Sequence, residues 1–219
     1  MTLDEQLEQQ LDLAGGDPGL RALALFHGAG MVGRSAALRA LIPLARTRGV
    51  TWTGLEEAAL QLVAFAGFPR AIEALSIVAR AREGAAEASA EEPRDPATLE
   101  SDGRAAWAAI YGDNQDKVLT ELDGLLPGFD QLVLTNAYGR ILSRPGLPLG
   151  ERELLAVAAL ALAALARPLE SHVRGALANG FAVAQVRDIL TTCIALASDD
   201  ARTVINQACD RLNRKVHSR

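Results

Sequence analysis

Arg167-Pro168-Leu169-Glu170-Ser171-His172-Val173-Arg174-Gly175-Ala176-Leu177-Ala178-Asn179-Gly180 carries a start signal, a periodic face and a stop signal for one short helix. Pro168 suits a first helical turn, where its missing N–H would have had no partner, and Gly180 suits the position just past the last turn. Between them Leu169, His172, Val173 and Ala176 recur at i, i+3, i+4, i+7, so they share one face. His172, one of three histidines in the chain, therefore lies on the packing stripe, where burying an imidazole costs free energy unless it is hydrogen-bonded. Glu170 falls in the predicted first turn, where a carboxylate gains about 0.3–1 kcal/mol from the helix dipole.

The same grammar extends in both directions. Ala and Leu dominate, strand-type alternation is scarce and glycines separate the periodic segments, so the expected fold class is all-α. Leu3, Leu7 and Leu11 give a narrow amphipathic helix over residues 1–14, ended by Gly15-Gly16. Further helices are expected at 18–30, 33–48, 52–65, 69–82, 102–111, 116–125, 128–143, 150–166, 168–179, 183–197 and 199–214. The longest apolar run, 154–166, has 13 residues, short of the roughly 18 or more that a membrane span needs. It reads as a helix buried on most sides.

Residues 83–101 are acidic, rich in small residues and hold two prolines, which reads as a linker. A weak repeat crosses it: Gly49-Val50-Thr51-Trp52-Thr53-Gly54-Leu55-Glu56-Glu57-Ala58 aligns without gaps to Gly180-Phe181-Ala182-Val183-Ala184-Gln185-Val186-Arg187-Asp188-Ile189, 131 residues later. Carried backwards, that spacing sets His172 against Leu41 and Glu153 against Ala22. Only the C-terminal copy then holds polar site groups, although any two helix–Gly–helix junctions resemble each other.

Composition narrows the function classes. A chain of 219 residues with 49% hydrophobic content can bury a substantial core. Its net charge of −5, with scattered basic residues, argues against a nucleic-acid binder, and 4% aromatic content argues against stacking on single strands. Cys193 and Cys209 sit in apolar settings that suit buried thiols in a reducing cytoplasm. Met1-Thr2-Leu3-Asp4-Glu5-Gln6 lacks an export pattern.

Glu153 opens the apolar helix 19 residues before His172. If the two meet, the carboxylate orients the imidazole and raises its basicity, the usual pairing behind a histidine acid/base. The simpler reading leaves Glu153 solvated beside Glu151 and Arg152, with His172 a satisfied core residue. Arg140 and Arg144, one turn apart before Pro145-Gly146, read as a dipole-complementing surface pair or as a carboxylate clamp. His27, in Phe26-His27-Gly28-Ala29-Gly30, reads as a C-terminal cap, and His217 as part of a polar tail. The histidines and cysteines have no metal-ligand spacing, and Gly28-Ala29-Gly30 lacks the strand context of a nucleotide fingerprint, so no metal or cofactor is expected.

Tyr138-Gly139-Arg140 through Arg144-Pro145-Gly146-Leu147, then Arg152-Glu153-Leu154-Leu155, then His172-Val173-Arg174-Gly175-Ala176-Leu177-Ala178-Asn179-Gly180 resembles the gamma-carboxymuconolactone decarboxylase family. Gly49-Val50-Thr51-Trp52, Glu56-Glu57 and Ala66-Gly67-Phe68-Pro69-Arg70-Ala71 are similar to that family's closing hairpin. The resemblance implies an alkylhydroperoxidase-like helical bundle in tandem form. Its parts would be an N-terminal helix (1–17), an N-terminal unit with a degenerate site (18–82), the linker (83–101) and a C-terminal unit (102–215).

What the resemblance implies for function is decarboxylation of a small carboxylated lactone, or a related acid, in aromatic-compound degradation. His172 would be the general acid/base, Glu153 would orient it, and Arg140, Arg144 or Arg174 would hold substrate carboxylates. A homo-oligomer, a trimer that mimics the family's hexamers, is also implied. Peroxidase relatives add a Cys-x-x-Cys pair, and those positions are Leu165 and Pro168 here, which removes the nucleophile. Decarboxylase relatives carry a glutamate four residues before the histidine; that position is Pro168, with Glu170 displaced by two. The alternatives are a non-catalytic or small-molecule-binding scaffold, with His172 packed without a pocket or carboxylate neighbour, and a peroxidase that depends on Cys193 or Cys209.

Overall fold

A computed structural model describes residues 2–12, 15–85 and 94–217, with side chains as far as Arg214. Among the described residues the chain is helical without strands: α1 (Leu3–Asp12), α2 (Pro18–Met31), α3 (Ser35–Thr47), α4 (Trp52–Ala66), α5 (Phe68–Ala81), α6 (Pro96–Tyr111) and α7 (Gln115–Leu125). Then come α8 (Phe129–Leu132), a π-helical continuation (Val133–Leu142), α9 (Leu149–Leu162), α10 (Ala166–Ala178), α11 (Val183–Cys193) and α12 (Asp199–His217). The all-α expectation holds.

The starts of α2, α4 and α6 are fixed locally by side-chain caps. Asp17 accepts from the N–H groups of Gly19 and Leu20 at 2.8 and 3.1 Å, with Pro18 in the first turn. Thr51 accepts from Gly54 N–H at 2.9 Å. The same device corrects the expected linker: Asp95 accepts from Thr98 N–H at 3.0 Å and Pro96 opens α6, so helix begins six residues before the expected Asp102. The remaining heart of the linker, 86–93, lies outside the described residues.

Two central helices carry the core. Every residue of α9 from Arg152 to Leu162 is buried, but the helix expected over 150–166 stops at Leu162 and the end of the apolar run is not buried, with Leu165 48% exposed; α2 is buried from Arg21 to Gly30. The two pack on each other, with α3, α4 and α5 around α2 and with α10, α11 and α12 around α9. A helix apolar on all sides has no polar face to leave in water, which places it at the centre. Leu7 and Leu11 of α1 seal the same core.

A smaller apolar cluster forms where α6 meets the 129–142 helix, from Ala106, Trp107, Ile110, Leu134, Tyr138 and Leu142. The backbones nearly touch there: a Cβ on Gly139 would stand 2.3 Å from the carbonyl oxygen of Leu99. An ordinary helix is expected over 128–143, but residues 133–142 are wound with longer-range bonds, ending with Ser143 N–H to the Tyr138 carbonyl at 2.9 Å. Such π segments are rare and frequent at functional sites.

The starts of α2, α3, α4 and α5 at Pro18, Ser35, Trp52 and Phe68 recur at Leu149, Ala166, Val183 and Asp199, each 131 residues later. Backbone signs recur as well: Gly49 (φ 86°) is matched by Gly180 (φ 94°), and Gly33 (φ 70°) by Ala164 (φ 57°). Ala164 is the one described non-glycine residue with positive φ. A left-handed alanine costs about 1–2 kcal/mol, partly offset by the extra unfolded-state entropy of glycine. Ala164→Gly is therefore expected to raise stability by up to ~1 kcal/mol and the melting temperature by a few degrees; a lower melting temperature would show that the turn is not strained.

Candidate functional site

Glu153 sits in the first turns of α9 and His172 in the middle of α10, on facing sides of two adjacent helices. The structure brings them together: His172 Nδ1 lies 3.2 and 3.1 Å from the two Glu153 carboxylate oxygens. Glu153 is fully buried, and the His172 side chain is 10% exposed. The carboxylate can only accept, so Nδ1 donates and Nε2 is left as the proton-exchanging nitrogen. Nε2 makes no hydrogen bond among the described residues.

Gly175, one turn after His172, makes room for this pair. A Cβ there would stand 2.1 Å from Glu153 Oε2 and 3.0 Å from Ile110 Cγ2. Gly175→Ala is therefore expected to displace the carboxylate and cost ~1–3 kcal/mol. Its imidazole resonances should shift with the loss of stability, whereas unchanged resonances would mean that the site absorbs the methyl group.

Around the pair lie groups from other helices. Phe65 of α4 stands edge-on between two imidazoles, 5.9 Å from the ring centroids of both His172 and His27. Tyr111 and Tyr138, the only tyrosines in the chain, share a hydrogen bond between hydroxyls at 3.0 Å. Trp107 packs on both. Burial raises the Tyr138 hydroxyl well above its ordinary pKa, and the neighbouring phenol and the Glu153 charge push the same way. Tyr111 is raised by burial and by Glu153, against the hydrogen bond from Tyr138 and the charge of Arg174. Both phenols are thus kept protonated beside the acidic pair.

The arginines do not converge. Arg144 is no surface group: its guanidinium grips Glu57 of α4 through Nε at 2.9 Å to both oxygens and Nη2 at 2.7 Å. Arg152, fully buried, donates to the same carboxylate at 2.8 Å and to the carbonyls of Arg144 and Leu147. Arg140 is exposed on the rim of a cleft of about 900 Å³ between α4 and the 129–142 helix, which Arg94 and Arg144 also line. Arg174 is exposed, donates to Ser171 Oγ at 3.1 Å, and borders a cavity of about 200 Å³ with Leu169, Glu170, Val173 and Arg211. Neither lining includes His172 or Glu153.

Other sequence expectations are corrected. His27 is no helix cap: α2 runs on to Met31, and the fully buried imidazole donates from Nδ1 to the Ala58 carbonyl at 2.7 Å. Burial is the main cause that pulls its pKa down to about 4, so it stays neutral. Glu170 lies beyond the first turn, because α10 starts at Ala166, and it pairs with Arg211 Nε at 3.1 Å. The side chain of His217 lies outside the described residues. Burial pushes the Cys193 thiol up to about 12 and raises Cys209 as well, so neither is a ready thiolate. Among the described residues no three His, Cys, Asp or Glu side chains gather as a metal site, and no helix is long and apolar enough to cross a membrane.

Sequence reasoning missed Tyr111, Tyr138, Phe65 and the Glu57 cluster. One signal was present: a chain with two tyrosines places both in one hydrogen-bonded pair. Residues 127–208 match the model of the carboxymuconolactone decarboxylase family. That stretch holds Tyr138, Glu153 and His172, whereas Phe65, Glu57 and Tyr111 come from outside it. No curated protein matches the chain.

Proposed function

We propose that this chain, whose residues 127–208 match the model of the carboxymuconolactone decarboxylase family, moves a proton on a small carboxylated lactone or related acid as the carboxylate leaves. The observation that carries the reading is the buried Glu153–His172 pair, with Nδ1 held and Nε2 free. In this scheme the C–C bond to the carboxylate breaks and CO2 departs. The electron pair left behind is delocalised into a conjugated carbonyl, and protonated Nε2 then delivers the proton that replaces the lost group. Glu153 stabilises the imidazolium and fixes its tautomer. The two neutral phenols supply uncharged donors nearby.

The carboxylate neighbour of His172 speaks against a purely packed histidine, while the linings of the two cavities described above, which leave it out, favour the scaffold reading; the buried, undissociated thiols speak against peroxide chemistry. Ultraviolet spectroscopy of the lactone with wild-type protein and His172→Ala tests the reading. Turnover that needs His172 supports it, and absence of turnover by the wild type overturns it.

The same reading takes the chain as two copies of one helical unit, supported by the four helix starts repeated 131 residues apart. Leu41 and Ala22 occupy the positions equivalent to His172 and Glu153, which makes the N-terminal copy structural. We also propose a homo-oligomer in a cytoplasmic setting. The support is the exposure of Ile72, Leu125, Leu126 and Leu165, between 48% and 76%, together with two free cysteines.

A further inference from the structure

We infer that the cleft between α4 and the 129–142 helix binds an amphipathic monoanion, an unbranched apolar chain ending in a carboxylate, with Arg140 as its charge partner. This inference stands apart from the His172 chemistry, because the cleft's lining contains neither member of that pair. At about 900 Å³ the space lies at the upper end of ordinary ligand pockets.

Its walls are polarised along the helix. Phe129, Leu132 and Val133 line one end, and Arg140 and Arg144 line the other, where Arg94 joins from the start of α6. Leu60, Val63 and Ala64 of α4 form the facing apolar wall. Among the described residues no acidic side chain lines the cleft, so the charge they present to a ligand is positive. Arg94 already donates to Asp102 at 3.1 Å, and Arg144 is gripped by Glu57. Arg140 makes no hydrogen bond or ion pair among the described residues, and its donors remain open to a carboxylate. Phe68 and Leu132, 69% and 56% exposed, stand at the mouth and would be covered by the chain of such a ligand.

A small acid would leave most of this apolar wall wet, and an uncharged chain would leave Arg140 unanswered. The combination selects a carboxylate with a tail. The helix that binds it also carries Tyr138 on its inward side, against Tyr111, so the cleft and the acidic pair are served by opposite faces of one π-helical segment.

Isothermal titration of the full chain with submicellar sodium decanoate tests this, with sodium acetate and decyltrimethylammonium bromide as comparisons. One decanoate per chain should bind, acetate should give no saturable heat, and the cationic chain should bind at least tenfold more weakly. Arg140→Ala should weaken decanoate at least tenfold, and Ala64→Trp, at an exposed position of the wall, should abolish binding while circular dichroism stays unchanged. His172→Ala should bind decanoate as the wild type does, so failure of the lactone chemistry leaves this result standing. Equal binding of both charged chains, or binding indifferent to both cleft variants, overturns the inference. So does dissociation of a homo-oligomer by Ala64→Trp without any decanoate binding, which would give the cleft to a second copy.

Discussion

Glu57→Ala is expected to lower stability by about 3–5 kcal/mol, the largest loss for any single side chain outside the apolar core. The Glu57 carboxylate is the shared acceptor of two guanidiniums, Arg152 with no exposed side-chain surface and Arg144 at 15%. Truncation leaves Arg152 charged and buried, held only by the carbonyls of Arg144 and Leu147 and by Gln61. It also cuts the main polar tie between α4 and the segment that leads into α9, a tie repeated by Gln61 Nε2, which donates to the Arg152 carbonyl at 2.8 Å.

Thermal unfolding should show a drop of roughly 10 °C or more for a chain of this size. Glu57→Met combined with Arg152→Met should regain much of it, because a buried ion pair replaced by apolar groups of similar volume is often neutral. A loss under 1 kcal/mol in Glu57→Ala would mean that water reaches Arg152. Acid dependence has a definite sign. Burial alone would push Glu57 up, but the hydrogen bonds and charges of Arg144 and Arg152 outweigh it and hold its carboxyl below the ordinary range. Its contribution is therefore full above the unfolded value near ~4.3 and is lost as pH falls through the lower folded value. The Glu57→Ala variant should show a flatter loss of stability in that acidic window.

His172→Ala is expected to reduce turnover of a carboxylated lactone by about 10²–10⁴, the range for a removed general acid/base. Glu153→Gln should fall between that variant and the wild type, since the amide keeps the shape but withdraws the charge that stabilises an imidazolium. If Glu153 only packs, Glu153→Gln should instead change melting temperature and leave kcat alone. The split separates a positioning residue from a structural one, with His172 imidazole resonances in the two proteins as a second readout.

Much of this was written in the sequence, and the exceptions have physical causes. The stripe Leu169, His172, Val173, Ala176 and the apolar run in α9 predicted their helices because burial in a helical protein is periodic. The Glu153–His172 contact depends on how two helices cross, which spacing alone does not set, so it stayed one of two readings until the pair was seen at 3.1 Å. Glu57 was invisible for a related reason: its partners lie 87 and 95 residues away, across the linker. For Arg144 the sequence leaves a surface group and a carboxylate clamp both open, because a helix-terminal arginine has the same form whether or not a distant carboxylate meets it. The π winding of 133–142 also leaves no mark in hydrophobic periodicity. It coincides with a tertiary contact, where Gly139 lets α6 approach to backbone contact.

The central claim, proton delivery by His172 to the carbon that loses its carboxylate, is tested most directly by running the lactone reaction in D2O and analysing the product by mass spectrometry. Wild-type protein should release CO2 and yield product with one deuterium at that carbon, at a rate that His172→Ala lowers by about a hundredfold or more. Labelled product formed equally fast by His172→Ala, or no CO2 release by the wild type, would contradict it.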